Sequence, residues 1–249
     1  MEAVTDASKD ELEPQVDGEG RDSDILAEPA QDLVSSLCVG TNADLFPQAL
    51  RLYVRRGSKV ADTTYGRGVF WNNVPAGWYD LRATDLQTGV DARELPYADG
   101  ELDAAVFDPP YMHGSLGKGP YSTSHPNMER YYKNIAEGPR GKGTAGAYHQ
   151  AVVDLYIEAA REAFRVLRDE GVYFVKCQDE VSANRQKLTH VELINAYLDI
   201  GFRCEDIFIL GQRRVPSVPS THYRQLHARK GHSYLLVFLK GLDRIWAGP

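Results

Sequence analysis

At 249 residues and 43% hydrophobic content, the chain can bury one sizeable core, as one large or two small domains. No apolar run approaches the ~20 residues of a membrane span, and the Asp- and Glu-rich start lacks the basic-then-apolar order of a secretory signal, which points to a soluble, cytoplasmic protein with no membrane partner. The net charge of −7 speaks against a nucleic-acid enzyme only until it is divided, because residues 1–32 carry 11 acids and 2 bases while residues 33–249 carry 24 acids and 26 bases.

The acidic tail 1–32 is poor in aromatic and β-branched residues and is expected to be disordered, which leaves 33–249 as the folded domain. There, Ala43 to Val54 shows apolar residues at helical spacing, with Asn42 placed as N-cap. Strand candidates follow at Lys59 to Ala61, Tyr79 to Ala83, around Val90, Leu102 to Phe107, Gly171 to Cys177, Cys204 to Leu210 and His232 to Lys240. A long helix is predicted from about Tyr148 to Leu167, where Val152, Leu155, Tyr156, Ala159, Ala163, Phe164 and Leu167 recur every three to four residues. A second runs from about Thr189 to Tyr197. Strands alternating with helices imply a mostly parallel sheet with crossover helices. Met112 to Ala147 and Gly211 to Gly231 escape the alternation, and loops that long are usually functional or disordered. Cys38, Cys177 and Cys204 read as buried, reduced core residues. Neither they nor the seven histidines have metal-ligand spacing, so no metal is expected.

Gly66 and Gly68 stand just after the first core strand, where glycine lets the backbone turn sharply and approach a nucleotide. A dinucleotide fingerprint would want a third glycine where this chain has Trp71, so a diphosphate is disfavoured. Asp85 ends the next strand, 17 residues beyond Gly68, about where an acidic residue reaches ribose hydroxyls. Asp91 follows in a short acidic turn that suits an adenine ring. Asp108-Pro109-Pro110-Tyr111 then closes a buried strand and presents a carboxylate, a rigid turn and an aromatic ring at its carboxyl end, where open α/β sheets place ligands. Two successive prolines donate no N–H and fix φ, so their turn aims carbonyls outward as acceptors. That suits an amino group that must lose a proton.

Asp62-Thr-Thr-Tyr-Gly-Arg-Gly-Val-Phe70, Asp85, Asp91 and Asp108-Pro109-Pro110-Tyr111 stand in the order of motifs I to IV of the S-adenosylmethionine-dependent DNA amino-methyltransferases. Over about residues 34 to 241 the chain resembles that family, in its DPPY type and in a short bacterial or phage-like form. The resemblance implies a Rossmann-like class I methyltransferase fold, an α/β domain with a mostly parallel seven-stranded sheet and an antiparallel last strand pair, into which loops 112–147 and 211–231 are inserted. It implies S-adenosylmethionine as cofactor, with Asn42 and Phe46 flanking its methionine part and Asp62, Thr63, Tyr65, Gly66, Gly68, Phe70, Asp85 and Asp91 around the rest.

The same resemblance makes Asp108, Pro109, Pro110 and Tyr111 the catalytic residues. Asp108 and the Pro109 carbonyl would accept N–H bonds from an exocyclic amine, drawing its lone pair out of conjugation, while Tyr111 stacks on a flipped-out base. In the family, Asp at the first position of this motif goes mostly with adenine, so site-specific N6-adenine methylation of duplex DNA is expected. An RNA base amino-methyltransferase, acting on guanine N2 or adenine N6, and a non-catalytic nucleic-acid-binding module on the same fold are the alternatives. The family's large target-recognition domain has no counterpart, and nucleic-acid contact falls to the loops. Residues 211–232 hold Arg213, Arg214, Arg224, Arg229 and Lys230 with no acid, and residues 112–150 hold five bases against two acids, both suited to phosphates. Lys176 and Asp179 end a strand at the ligand-binding edge, with their roles left open.

Overall fold

Strands and helices alternate through the computed structural model, which describes residues 33–109, 145–182, 185–212 and 226–241, with side chains from 149 in the second stretch. In chain order the elements are β1 (Leu37–Val39), α1 (Asn42–Tyr53), β2 (Lys59–Asp62), a 3₁₀ turn (Val69–Trp71), β3 (Asp80–Ala83), β4 (Leu102–Phe107), α2 (Ala145–Val166), β5 (Leu167–Cys177), β6 (Glu180–Ser182), β7 (Arg185–Lys187), α3 (Thr189–Ile200), β8 (Phe202–Gly211) and β9 (His232–Lys240). They belong to the unit Val34–Pro249. The expected disordered tail 1–32 and most of both long loops lie outside the described residues. No helix among the described residues is long and apolar enough to cross a membrane.

The seven-stranded sheet runs β1-β8-β9-β5-β4-β2-β3, and only β9 is antiparallel, to β5 on one side and β8 on the other. The Rossmann-like, mostly parallel α/β fold is thus present, with two corrections to its strands. The strand expected around Val90 is not formed, and only an isolated bridge joins Asp91 to Glu94. There the Asp85 carboxylate accepts the N–H groups of Gln87 and Thr88, and the Asp85 carbonyl accepts that of Val90, so donors that a ladder needs are spent on a turn. The seventh strand is instead β1, parallel to β8 and at three residues too short to carry a period-2 signal. The hairpin β6/β7 is likewise new.

After β2 the chain moves outward to β3, then returns to place β4 on the other side of β2. Such a reversal opens a crevice at the carboxyl ends of the two central strands. β2 ends at Asp62, and β4 ends immediately before Asp108.

Helices cover both faces. α2 and α3 pack on one, where Tyr156, Tyr173, Tyr197, Phe202 and Phe238 form the core, and α1 with the 3₁₀ turn covers the other through Phe46, Phe70, Trp71, Phe174 and Phe208. Buried tyrosine hydroxyls are satisfied: Tyr156 donates to the Lys176 carbonyl and Tyr197 to the Tyr156 carbonyl, as burial of a polar group requires. All three cysteines are free thiols, but only Cys177 is fully buried; Cys38 and Cys204 are partly exposed.

α1 begins one residue earlier than expected, with Thr41 rather than Asn42 as N-cap. Asp44 turns back to accept the Thr41 backbone N–H and hydroxyl, each at 2.8 Å. Pro47 sits inside this helix, lacks an N–H, and so cannot serve the Ala43 carbonyl one turn back. That carbonyl is taken instead by Asn73 Nδ2 at 3.0 Å, which joins the start of α1 to the segment after the 3₁₀ turn. Asn73→Ala should therefore cost about 1 kcal/mol, the penalty of a carbonyl left unpaired, by chemical denaturation. In a Pro47→Ala background the restored N–H should absorb most of that loss.

Candidate active site

The carboxyl ends of β2 and β4 are laced together before any ligand is considered. The Thr63 backbone N–H and hydroxyl both donate to the Val106 carbonyl, at 3.0 and 2.9 Å. Across the crevice the Asp108 N–H donates to Thr64 Oγ1 at 2.7 Å. These bonds fix the Asp108 backbone at the mouth of the crevice.

Asp62 is the buried anchor of the glycine turn. Its Oδ2 accepts Trp71 Nε1–H at 2.8 Å and its Oδ1 accepts the Thr64 N–H at 3.0 Å. Burial raises its carboxyl from the ordinary 3.8 to about 7, against the lowering effect of those two donors. A carboxyl held higher in the folded than in the unfolded chain stabilises the fold while it keeps its proton, and that stability is lost as pH rises through the folded value. The thermal midpoint should thus fall between about pH 4 and 7, from the unfolded to the folded value, and level off above it. Melting curves of Asp62→Asn over the same range should lack that share of the fall.

Between Asp62 and Asp85 the backbone passes through Gly66 at φ 53° and Gly68 at φ 67°, conformations that favour glycine. A Cβ on Gly68 would stand 2.5 Å from Tyr65 Oη, whereas one on Gly66 would meet only the Thr64 carbonyl oxygen, at 3.8 Å. The Gly66 N–H donates to Asp85 Oδ2 at 2.9 Å. With Oδ1 already accepting Gln87 and Thr88, Asp85 is 5% exposed and first of all a clasp between the glycine turn and β3.

The remaining expected cofactor residues divide between surface and core. Asp91 is partly exposed and bound through both oxygens to Arg93, which outweighs its partial burial and holds its carboxyl below the usual range. Phe46 is fully buried, edge-on to Phe70, Trp71 and Phe174 at 4.9, 5.2 and 5.5 Å. Phe46 and Phe70 therefore shape the floor beneath the glycine turn from within the core. Asn42, in the first turn of α1, has a buried Oδ1 with no hydrogen-bond partner.

Asp108 shares that property. The residue as a whole is partly exposed, but its Oδ1 is out of solvent and without a partner. Burial raises the carboxyl to about 6, and the positive charge of Lys176 works the other way. Lys176 is itself buried and lowered by burial, with Asp108 opposing, so each group eases the other's burial. The β4–β5 register pairs Phe107 with Val175 and thereby brings Asp108 beside Lys176. Ser233 Oγ holds the lysine Nζ at 2.6 Å. Pro109 is buried, while Pro110 and Tyr111 lie outside the described residues, as do Arg213, Arg214 and Arg224.

Further along the edge, Asp179 accepts His190 Nδ1 at 2.7 Å, and the His190 ring stacks on Tyr234 at 4.2 Å. Thr64, Trp71, Lys176 and Ser233 thus complete the site, though the sequence offers Lys176 only as an edge residue of open role, Trp71 only as an obstacle to a diphosphate, and Ser233 not at all. Their roles arise from cross-strand register and a buried indole bond, which leave no local spacing signal.

No protein-family model and no curated protein matches the chain. Among solved structures it is similar to TrmN from Thermus thermophilus, at 17% identity over 79% of this chain and 48% of that one, with a TM-score of 0.43. It is also similar to TTHA0409 from the same organism, named as a candidate DNA modification methylase and solved with S-adenosyl-L-methionine, at 18% identity over 61% of this chain and 52% of that one, TM-score 0.37. A SAM-dependent methyltransferase from Methanosarcina mazei matches at 11% identity over 78% of this chain and 98% of that one, TM-score 0.38. The chain spans about half the length of TrmN and TTHA0409. At scores this low, the fold assignment stands on the chain's own strand order.

Proposed function

We propose that the protein is an S-adenosylmethionine-dependent methyltransferase acting on the exocyclic N6 amino group of adenine in DNA, with the base flipped out of the duplex. The observation that carries this reading is the Asp108 carboxylate, fixed at the topological crevice with a buried oxygen that has no donor. An unpaired buried acceptor is costly, and an amine N–H is the kind of group it suits. Two features fit the cofactor: open space at Gly66, into which a Cβ would project, and the partnerless Asn42 Oδ1, an acceptor for the ammonium of the methionine part. When bound, S-adenosylmethionine supplies an electrophilic methyl group on a sulfonium.

The chain's own residues do the rest. Asp108 accepts one amine N–H and the Pro109 carbonyl another, which turns the nitrogen lone pair away from the ring and toward the reacting carbon. Lys176 keeps Asp108 ionised near neutral pH, and Asp108 receives the proton released as the nitrogen gains its methyl group. Tyr111 stacks on the extruded base, and the basic loops hold phosphates. Incubation with labelled S-adenosylmethionine and duplex DNA, tRNA or rRNA in parallel, followed by nucleoside analysis, tests the reading. Label in N6-methyladenine from DNA is expected. Label confined to guanine N2 or to RNA would replace the DNA assignment, and none in any nucleic acid would end it.

A further inference from the structure

We propose that the β6/β7 hairpin is a phosphate clamp for the nucleic-acid substrate, with Arg185 and Lys187 as its contact residues. The hairpin leaves the same sheet edge as Asp108, beginning three residues after Cys177 at the end of β5. Its strands pair antiparallel, and in β7 the alternation of a strand puts Arg185 and Lys187 on one side and Gln186 on the other. Arg185 is exposed and Lys187 partly so. Gln186 Oε1 accepts Lys230 Nζ, which ties the segment before β9 to the hairpin. Arg185 and Lys187 therefore line one side of the hairpin, and Lys230 is held on the other.

Their charge is not cancelled locally. The acid that register sets opposite Lys187 is Glu180, but Glu180 is turned inward, where its Oε1 meets His149 Nδ1 at 2.7 Å. On its other side His149 Nε2 meets Glu192 of α3 at 2.8 Å. The imidazole is buried between two carboxylates and ties hairpin, α2 and α3 together. Among the described residues neither Arg185 nor Lys187 has an acidic partner. A rigidly held projection with uncompensated cations releases counterions when a phosphate backbone lies along it, and at this position the backbone is that of a strand whose base enters the crevice.

This surface rests on the nucleic-acid reading above, and the test separates the two. Fluorescence anisotropy with a labelled DNA duplex and a labelled RNA, titrated with NaCl, compares the wild type with Arg185→Ala/Lys187→Ala, whose fold is checked by thermal melting. Two lost phosphate contacts should weaken binding about tenfold or more at moderate salt and flatten the log–log salt slope by about two units. The charge reversal Arg185→Glu/Lys187→Glu should weaken binding further. A wild type that binds while a folded double variant keeps the same affinity and slope would overturn the clamp alone. A wild type that binds neither nucleic acid would overturn the substrate reading and the clamp with it.

Discussion

Asp108→Asn should lower methyl transfer by roughly 10²- to 10⁴-fold, the range over which a positioned proton acceptor acts, while leaving S-adenosylmethionine affinity unchanged. The substitution keeps the size of the side chain and the Asp108 N–H bond to Thr64 Oγ1, but removes the charge that polarises the amine and accepts its proton. Wild-type turnover has its own signature. With the carboxyl raised to about 6 by burial, the acceptor is ionised above that value, and activity should fall as pH drops through it. Lys176→Met removes the positive charge that favours the ionised form, so the acid limb of the pH–rate profile should move to higher pH. Radiolabel transfer across pH 5 to 8.5 reads both effects. Wild-type turnover in Asp108→Asn would sink the catalytic assignment, and simultaneous loss of cofactor binding would make the residue a structural one.

What the sequence made legible were elements whose signal is local. The strand over Leu102–Phe107 coincides with its predicted range, as does His232–Lys240, because short, mostly apolar runs bounded by turn residues have few other solutions. α2 follows its apolar stripe for the same reason, starting three residues ahead of the prediction and ending one short of it. The misses are of another kind. β1 and the β6/β7 hairpin are three-residue strands, each given its role by a partner far away or by a turn. The Val90 segment has strand-like residues, but the Asp85 side chain captures its neighbours' N–H groups first.

At the site, the ordered motifs led to Asp62, Gly66, Gly68, Asp85 and Asp108, all at one sheet edge. Sequence position alone could not separate residues that face the crevice from those that support it. Phe46 and Phe70 carry aromatic rings next to the motifs, yet tertiary packing turns both inward. Lys176 becomes a neighbour of Asp108 only through the β4–β5 register.

The two glycines of the first turn should respond to substitution in different ways, because their surroundings differ. Gly66→Ala adds a Cβ into space where only the Thr64 carbonyl oxygen lies within 4 Å, so the fold bears little beyond the left-handed backbone cost of ~1 kcal/mol. If that space is where the cofactor approaches, the new methyl group occupies it, and S-adenosylmethionine affinity should fall by roughly tenfold or more, a loss of about 1.4 kcal/mol. Gly68→Val faces two obstacles within the protein itself: a φ of 67° and the Tyr65 ring, with Oη 2.5 Å and Cζ 2.6 Å from the new Cβ. To make room, the Tyr65 ring must swing out of its packing against the core of that face, and the left-handed φ stays unfavourable for a β-branched residue however the ring moves. The strain should pass through Gly66 to the Asp85 clasp, so that Gly68→Val loses thermal stability as well as cofactor binding. Titration calorimetry and melting curves on both variants distinguish a position that meets the ligand from one that shapes the turn. A folded Gly66→Ala protein with wild-type affinity would place the cofactor elsewhere, whatever Gly68→Val does.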